Sequence, residues 1–230
     1  MRQIVLDTET TGLEVKEGHR VIEIGCIELV NRRPTGRHFH RYLKPDRDID
    51  AGAQAVHGIS LEQLKDEPAF PEVADEFLDF VRDAELLIHN ASFDVGFLNE
   101  ELKRVGERGS IADHCRVLDT LALARSLHPG QKNSLDALCK RYGIDNSHRE
   151  LHGALLDARI LADVYVAMTS GQVSLGLNNE RVAASSSQRR LSDANQRPPL
   201  KILRASPEEL AAHEACLADL EKRSKRRLWN

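Results

Sequence analysis

The chain has 230 residues, with 32 Lys+Arg against 36 Asp+Glu and a formal net charge of −4. Hydrophobic residues make up 41%, enough for a sizeable core, and no stretch approaches the roughly 20 apolar residues that a membrane-spanning helix needs. The charge is uneven: residues 172 to 230 hold 11 basic and 7 acidic side chains, which leaves 21 against 29 in residues 1 to 171. Duplex affinity comes mainly from neutralising phosphates with Lys and Arg. An acidic N-terminal portion is therefore not expected to be a general duplex binder; if it acts on nucleic acid, it should grip only a few nucleotides, through metal ions.

The N-terminus runs at once into a short apolar strand, Ile4 to Leu6, which leaves no room for a signal peptide and favours a cytoplasmic protein. Val21 to Val30 alternates apolar and polar residues, as a half-buried strand does. Asn31 to Gly36 has turn chemistry, and His38 to Leu43 alternates again, giving a hairpin or meander. Pro71 to Arg82 has helical periodicity with Pro in its first turn. Leu86 to Ile88 reads as a second buried strand and Phe93 to Val105 as a helix. Val117 to Leu127 predicts another helix, stopped by Pro129-Gly130. Asn133-Ser134 caps a helix to about Tyr142, and Leu155 to Met168 is the last strong amphipathic helix of this portion.

Strands first, then strands alternating with helices, predict an α/β domain with a mixed central sheet, ending near Gly171. Residues 172–206 are rich in Ser, Asn, Gln, Arg and Pro and read as a flexible linker. Ser206-Pro207-Glu208-Glu209 then supplies an N-cap, a Pro at the first helical position and acids in the first turn. The helix that follows runs to about Arg223 and is too short to be stable alone. Trp229, the sole Trp, follows a basic cluster and suits an anchor for a partner. Cys26, Cys115, Cys139 and Cys216 are far apart without a Cys-x-x-Cys pair, so free thiols are expected rather than zinc ligands or disulfides.

Three separated pieces carry chemistry. In Asp7-Thr8-Glu9-Thr10-Thr11-Gly12, Asp7 and Glu9 end the first strand and, at period two, share a face. Two carboxylates on one face repel unless a cation lies between them, and their oxygens suit Mg²⁺ or Mn²⁺. In His89-Asn90-Ala91-Ser92-Phe93-Asp94, Asp94 lies just inside a helix at the carboxyl end of a strand, where α/β proteins place their sites. In His152-Gly153-Ala154-Leu155-Leu156-Asp157, a five-residue spacing on an ideal helix separates the two end residues by about 140°. They converge only if His152 sits at or before the helix start. Such a set suits a metal-dependent phosphodiesterase, with carboxylates for two divalent cations and a neutral base for water.

These pieces resemble the three motifs of the DEDDh branch of the DnaQ-like 3′–5′ exonucleases, over residues 3 to about 171. The sister branch carries Tyr four residues before the last Asp; here that residue is Gly153, with His152 five before. Val56-His57-Gly58-Ile59, Asn133 to Cys139 and the tail resemble the proofreading subunits within that branch. The resemblance implies an RNase H-like fold and two-metal hydrolysis. Asp7 would bridge both Mg²⁺ or Mn²⁺ ions, Glu9 and Asp157 would complete one metal position, and Asp94 would support them directly or through water. His152 would be the general base. His57 would hold the terminal nucleotide and Thr10 would lie along its sugar, so that Asp7, Glu9, Thr10, His57 and Asp157 all face substrate. One departure is Gly52, where relatives often have an acid contacting the substrate.

The implied substrate is a frayed or single-stranded DNA 3′ end, selected by melting rather than by base-edge readout. Gln172 to Leu177 resembles a peptide that binds the sliding clamp, and residues 207–230 resemble a segment that docks on the polymerase alpha subunit. Relatives often also bind a small theta-type subunit, and the expected setting is the bacterial replisome. Two alternatives share the site residues: an RNA-directed 3′–5′ exonuclease of the same branch, and a non-catalytic brace for a polymerase.

Overall fold

The computed structural model describes residues 1–147, 151–170 and 205–224. The chain divides into two compact units, Met1–Leu177 and Asn178–Asn230. In the first, five strands form one mixed sheet in the order β3-β2-β1-β4-β5. β1 (Arg2–Thr10), β2 (Val21–Val30) and β3 (Arg33–Tyr42) form an antiparallel meander, and β4 (Glu85–Ile88) and β5 (Arg116–Asp119) add in parallel on the other side of β1. This is the expected mixed α/β architecture. The helices are α1 (Ala51–His57), α2 (Leu61–Leu64), α3 (Phe70–Val81), α4 (Ala91–Val105), α5 (Ile111–His114), α6 (Thr120–Leu127), α7 (Leu135–Tyr142) and α8 (Ala154–Thr169).

The pleat sorts the strand side chains between two cores. Ile4 and Leu6 join Ile24, Cys26, Leu86 and Ile88 beneath α3 and α4, where Phe70, Phe77, Phe97 and Leu102 complete the packing. Val5, Ile27, Leu29 and Leu87 face the opposite way, onto Leu138 of α7 and Ile160, Leu161 and Val164 of α8. Asp7 and Glu9 are in phase with Val5, so β1 aims both at the α8 side. Thr8, out of phase, belongs to the α4 side.

Three expectations need correction. β2 is not half-buried: every residue from Val21 to Leu29 is buried, because helices cover both faces. Its buried acids are paired, Glu28 with Arg2 and Arg37, and Glu23 with His40. The turn expected over Asn31 to Gly36 is only two residues long. Asn31 (φ 51°) and Arg32 (φ 65°) take the left-handed conformation of a tight hairpin, and β3 begins at Arg33. β3 is an edge strand, which is why Pro34 is tolerated there. Finally, the helix expected over Val117 to Leu127 starts three residues late. Arg116–Asp119 pairs in parallel with β4, an assignment too short for periodicity to make.

In the second unit, α9 (Pro207–Ser224) begins with a reciprocal cap. The Glu209 amide donates to Ser206 Oγ at 3.2 Å, and the Ser206 amide donates to the Glu209 carboxylate at 2.8 Å. The sequence expectations for Gln172 to Leu177, most of the linker, and Leu228-Trp229 lie outside the described residues. Among the described residues no helix is long and apolar enough to cross a membrane. Cys26, Cys115 and Cys139 are buried thiols outside any disulfide, and Cys216 is an exposed one.

Candidate metal centre

β1 delivers Asp7 and Glu9 to the carboxyl end of the sheet, where β4 ends and α4 begins. There the chain turns at Asn90, in the left-handed conformation (φ 70°), and sets Asp94 in the first turn of α4. Asp94 is 3% exposed. Its Oδ1 accepts from the Thr8 amide at 3.1 Å and from the Thr8 hydroxyl at 2.7 Å. Thr8 thus ties the second acidic motif to the residue between Asp7 and Glu9. Burial pushes the Asp94 carboxyl up to about 7, against the pull of those hydrogen bonds.

Asp157 reaches the same place from the other side of the sheet. It lies in the first turn of α8, 3% exposed. Gly153 is the N-cap and His152 precedes it, so the base stands outside the helix, as its spacing requires. His152 Nδ1 lies 3.2 Å from Asp157 Oδ2. The approach of α8 depends on Gly25: a Cβ there would sit 2.2 Å from the Leu155 amide nitrogen and 2.3 Å from the Ala154 carbonyl carbon. The strap before α8 is held by α1, because the His152 amide donates to the Val56 carbonyl at 3.2 Å. Leu151 occupies the space that a side chain on Gly58 (φ 73°) would need.

Glu9, His152 and Asp157 each offer a ligand atom, and these atoms all lie within 4.8 Å of one another. Asp7 and Asp94 line the same cleft, of about 650 Å³. Four carboxylates and one imidazole in one cleft fit hard divalent cations, for which oxygen donors are the preferred ligands. His152, expected as a base, is thus also within reach of a shared ion.

Thr10 and His57 do not line this cleft. They line a second, more apolar one of about 490 Å³, which shares Thr8, Glu9 and Phe93 with the first and includes Gly52. The Thr10 hydroxyl donates to the Gly12 carbonyl at 2.7 Å. His57 Nδ1 accepts from the Ile59 amide at 3.0 Å, and its Nε2 is buried without a hydrogen-bond partner. Burial lowers the His57 pKa below the ordinary imidazole value, which favours the neutral ring. A Cβ on Gly52 would meet open space, while Glu14, Glu17 and Asp50 also line this cleft.

The far wall of the metal cleft had no assignment from sequence. Leu121 and Arg125 of α6, then Gln131, Asn133, Ser134 and Asp136, form it. Arg125 is the one Lys or Arg lining that cleft among the described residues. Pro129-Gly130 signals only a helix stop, and nothing local shows that the residues around it face the acidic motifs.

Comparison with known proteins agrees with this geometry. The RNase_T exonuclease family model matches residues 4–165. DNA polymerase III subunit epsilon of Salmonella typhimurium is 53% identical over 240 residues, covering 99% of this chain and 97% of that protein. The Escherichia coli epsilon subunit is 52% identical with the same coverage. Among solved structures, exonuclease X in complex with 5′ overhanging duplex DNA superposes with a TM-score of 0.57 at 26% identity, over 73% of this chain and 91% of that one. With two acids on one face of β1, a histidine just before the helix that carries a third acid, and 52–53% identity to these relatives over nearly their full length, the chain belongs to the DNA polymerase III epsilon subunits of the RNase_T exonuclease family.

Proposed function

We propose that this chain is the proofreading 3′–5′ exonuclease of a bacterial replicative polymerase, hydrolysing the terminal phosphodiester of a DNA strand with two Mg²⁺ or Mn²⁺ ions held in the cleft. The observation that carries the site assignment is the convergence of Glu9, His152 and Asp157 ligand atoms within 4.8 Å, in a cleft that Asp7 and Asp94 also line.

Asp7, Glu9, Asp94 and Asp157 are the residues that would hold the ions. Bound divalent ions supply a lowered pKa for water and charge stabilisation at the leaving 3′-oxygen. The chain's own residues do the rest. His152 Nδ1 faces Asp157, which orients the ring and leaves Nε2 to take the proton of the attacking water. His57 and Thr10 mark the adjoining cleft as the seat of the terminal nucleotide, with Glu9 shared between the two clefts. A paired strand would have to melt to reach that seat, so a mispaired terminus is digested first.

Residues 1–171 form the exonuclease domain, residues 172–206 a linker with a clamp-binding peptide at Gln172 to Leu177, and residues 207–230 the segment for the polymerase alpha subunit. A theta-type subunit on the exonuclease domain and a cytoplasmic, replisome-bound location complete the reading. Its support is the near full-length identity to epsilon subunits.

The test is digestion of a 3′-labelled single-stranded DNA in Mg²⁺. Asp7→Ala or Glu9→Ala is expected to lower the rate at least about a thousandfold, as loss of ligands from a metal site does, with the circular dichroism spectrum unchanged. Wild-type rates in either variant would remove the two-metal reading. A faster rate on RNA than on DNA oligonucleotides would move the enzyme to the RNA-directed alternative.

A further inference from the structure

One buried carboxylate beside the site has no part in the mechanism above. The register of β1 on β2 sets Asp7 opposite Gly25 and Glu9 opposite Glu23. Both β2 residues are in phase with Ile27 and Leu29, which face α8. The two residues directly across from the β1 acids are therefore the two that receive the first turn of α8. Gly25 does so by having no side chain, since a Cβ would overlap the Ala154–Leu155 peptide. Glu23 does so with its carboxylate. It is 2% exposed, its Oε2 accepts from the Ala154 amide at 3.1 Å, and its Oε1 lies 2.7 Å from His40 Nε2.

A helix start leaves amides without intrahelical partners, and the N-cap of α8 is Gly153, which has no side chain to serve them. Glu23 supplies an acceptor from another element, and its charge opposes the positive end of the helix. That first turn carries Asp157, and the residue just before the cap is His152.

We propose that Glu23 is a positioning residue: its bond to the Ala154 amide fixes the start of α8 over Gly25, and thereby sets the distance of Asp157 and His152 from Asp7 and Glu9. Ligands of a metal site must be held to within about half an ångström, and loss of the residues that hold them costs about 10–100-fold in metal affinity or activity. The inference rests on the metal-centre reading above.

The test uses the full-length chain, Mn²⁺ as the probe in calorimetry, and a single-stranded DNA oligonucleotide for kcat and KM. Glu23→Ala is expected to weaken Mn²⁺ binding and lower kcat about tenfold or more, with KM for the oligonucleotide changed by less than about twofold. Glu23→Gln is expected to restore both to within about threefold of wild type, because its Oε1 still accepts from Ala154 and its amide can donate to His40. A folded Glu23→Ala protein with wild-type Mn²⁺ affinity and kcat overturns the proposal. So does a Gln variant no better than Ala. If Glu23→Ala does not fold, Glu23→Asp, one methylene too short, should lose Mn²⁺ affinity, and wild-type affinity there overturns it equally. Wild-type protein that binds no Mn²⁺, like Asp7→Ala, would sink the metal centre itself; wild-type binding alongside an unaffected Glu23→Ala sinks only the role of Glu23.

Discussion

Asp94 Oδ1 takes hydrogen bonds from both the amide and the hydroxyl of Thr8, yet burial still holds the carboxyl near pH 7. Its folded pKa lies above the ordinary value of 3.8, so the folded, metal-free protein binds more protons than the unfolded chain between about pH 4 and 7. The stabilising contribution is full below that window and is lost as pH rises through about 7. In EDTA, unfolding midpoints should therefore fall across this range. Asp94→Asn should flatten the slope, gain roughly 1–3 kcal/mol at pH 8, and lose exonuclease activity when metal is restored. Equal slopes in urea titrations of both proteins would contradict the assignment. Thiol chemistry gives a second check: with Cys26, Cys115 and Cys139 buried and Cys216 exposed, a thiol reagent should modify one cysteine rapidly in the native chain and all four in denaturant. At this scale residue type and spacing mark the acids and His152 in the sequence as candidate metal-site residues, and the structure brings Glu9, His152 and Asp157 together. Glu23 was not, because an acid in an alternating strand reads as solvent-facing.

The turn after β1 shows how one element constrains the next. A Cβ on Gly12 would fall 2.2–2.5 Å from ring atoms of His19. That ring is 3% exposed and held by a 3.0 Å hydrogen bond to Thr11 Oγ1, with Glu17 and Asp50 beyond it, so an added Cβ would have to displace it from these partners. Gly12→Ala should cost about 1–3 kcal/mol through overpacking and lower digestion by displacing the end of β1, measured by thermal unfolding and a labelled-end assay. Unchanged values in both would show that the turn is not coupled to the site. The sequence reads Thr-Thr-Gly as a turn, while the neighbour that makes the glycine necessary comes seven residues later. Likewise the strap 151–153 has no periodicity, and its anchors, the Val56 carbonyl and the gap at Gly58, lie about a hundred residues away. β5 was read as helix because four residues carry no distinguishing period until the edge of β4 is present to pair with them.

In the proposed division of the chain, the acidic N-terminal portion would cut and the mildly basic tail would hold it at the primer end. Such a tail would convert polymerase binding into a high local concentration of exonuclease and offset a weak intrinsic affinity for DNA. Deleting residues 178–230 should leave digestion of free single strands within about twofold of wild type, since no tethering acts on a free oligonucleotide. Co-purification with the polymerase should be lost, and its retention would place that contact elsewhere. The sequence by itself determined the element types wherever period two or 3.6 ran for several turns, the order of the three acidic motifs, and the family to which they point. Those are local properties, written in spacing and side-chain chemistry. Only the tertiary structure decided that β1 turns Asp7 and Glu9 toward α8 and Thr8 toward α4, that His152 stands outside its helix beside Asp157, and that Glu23 and Gly25 receive that helix. Each of these depends on register between strands distant in the chain, and a one-residue slip would reverse every face.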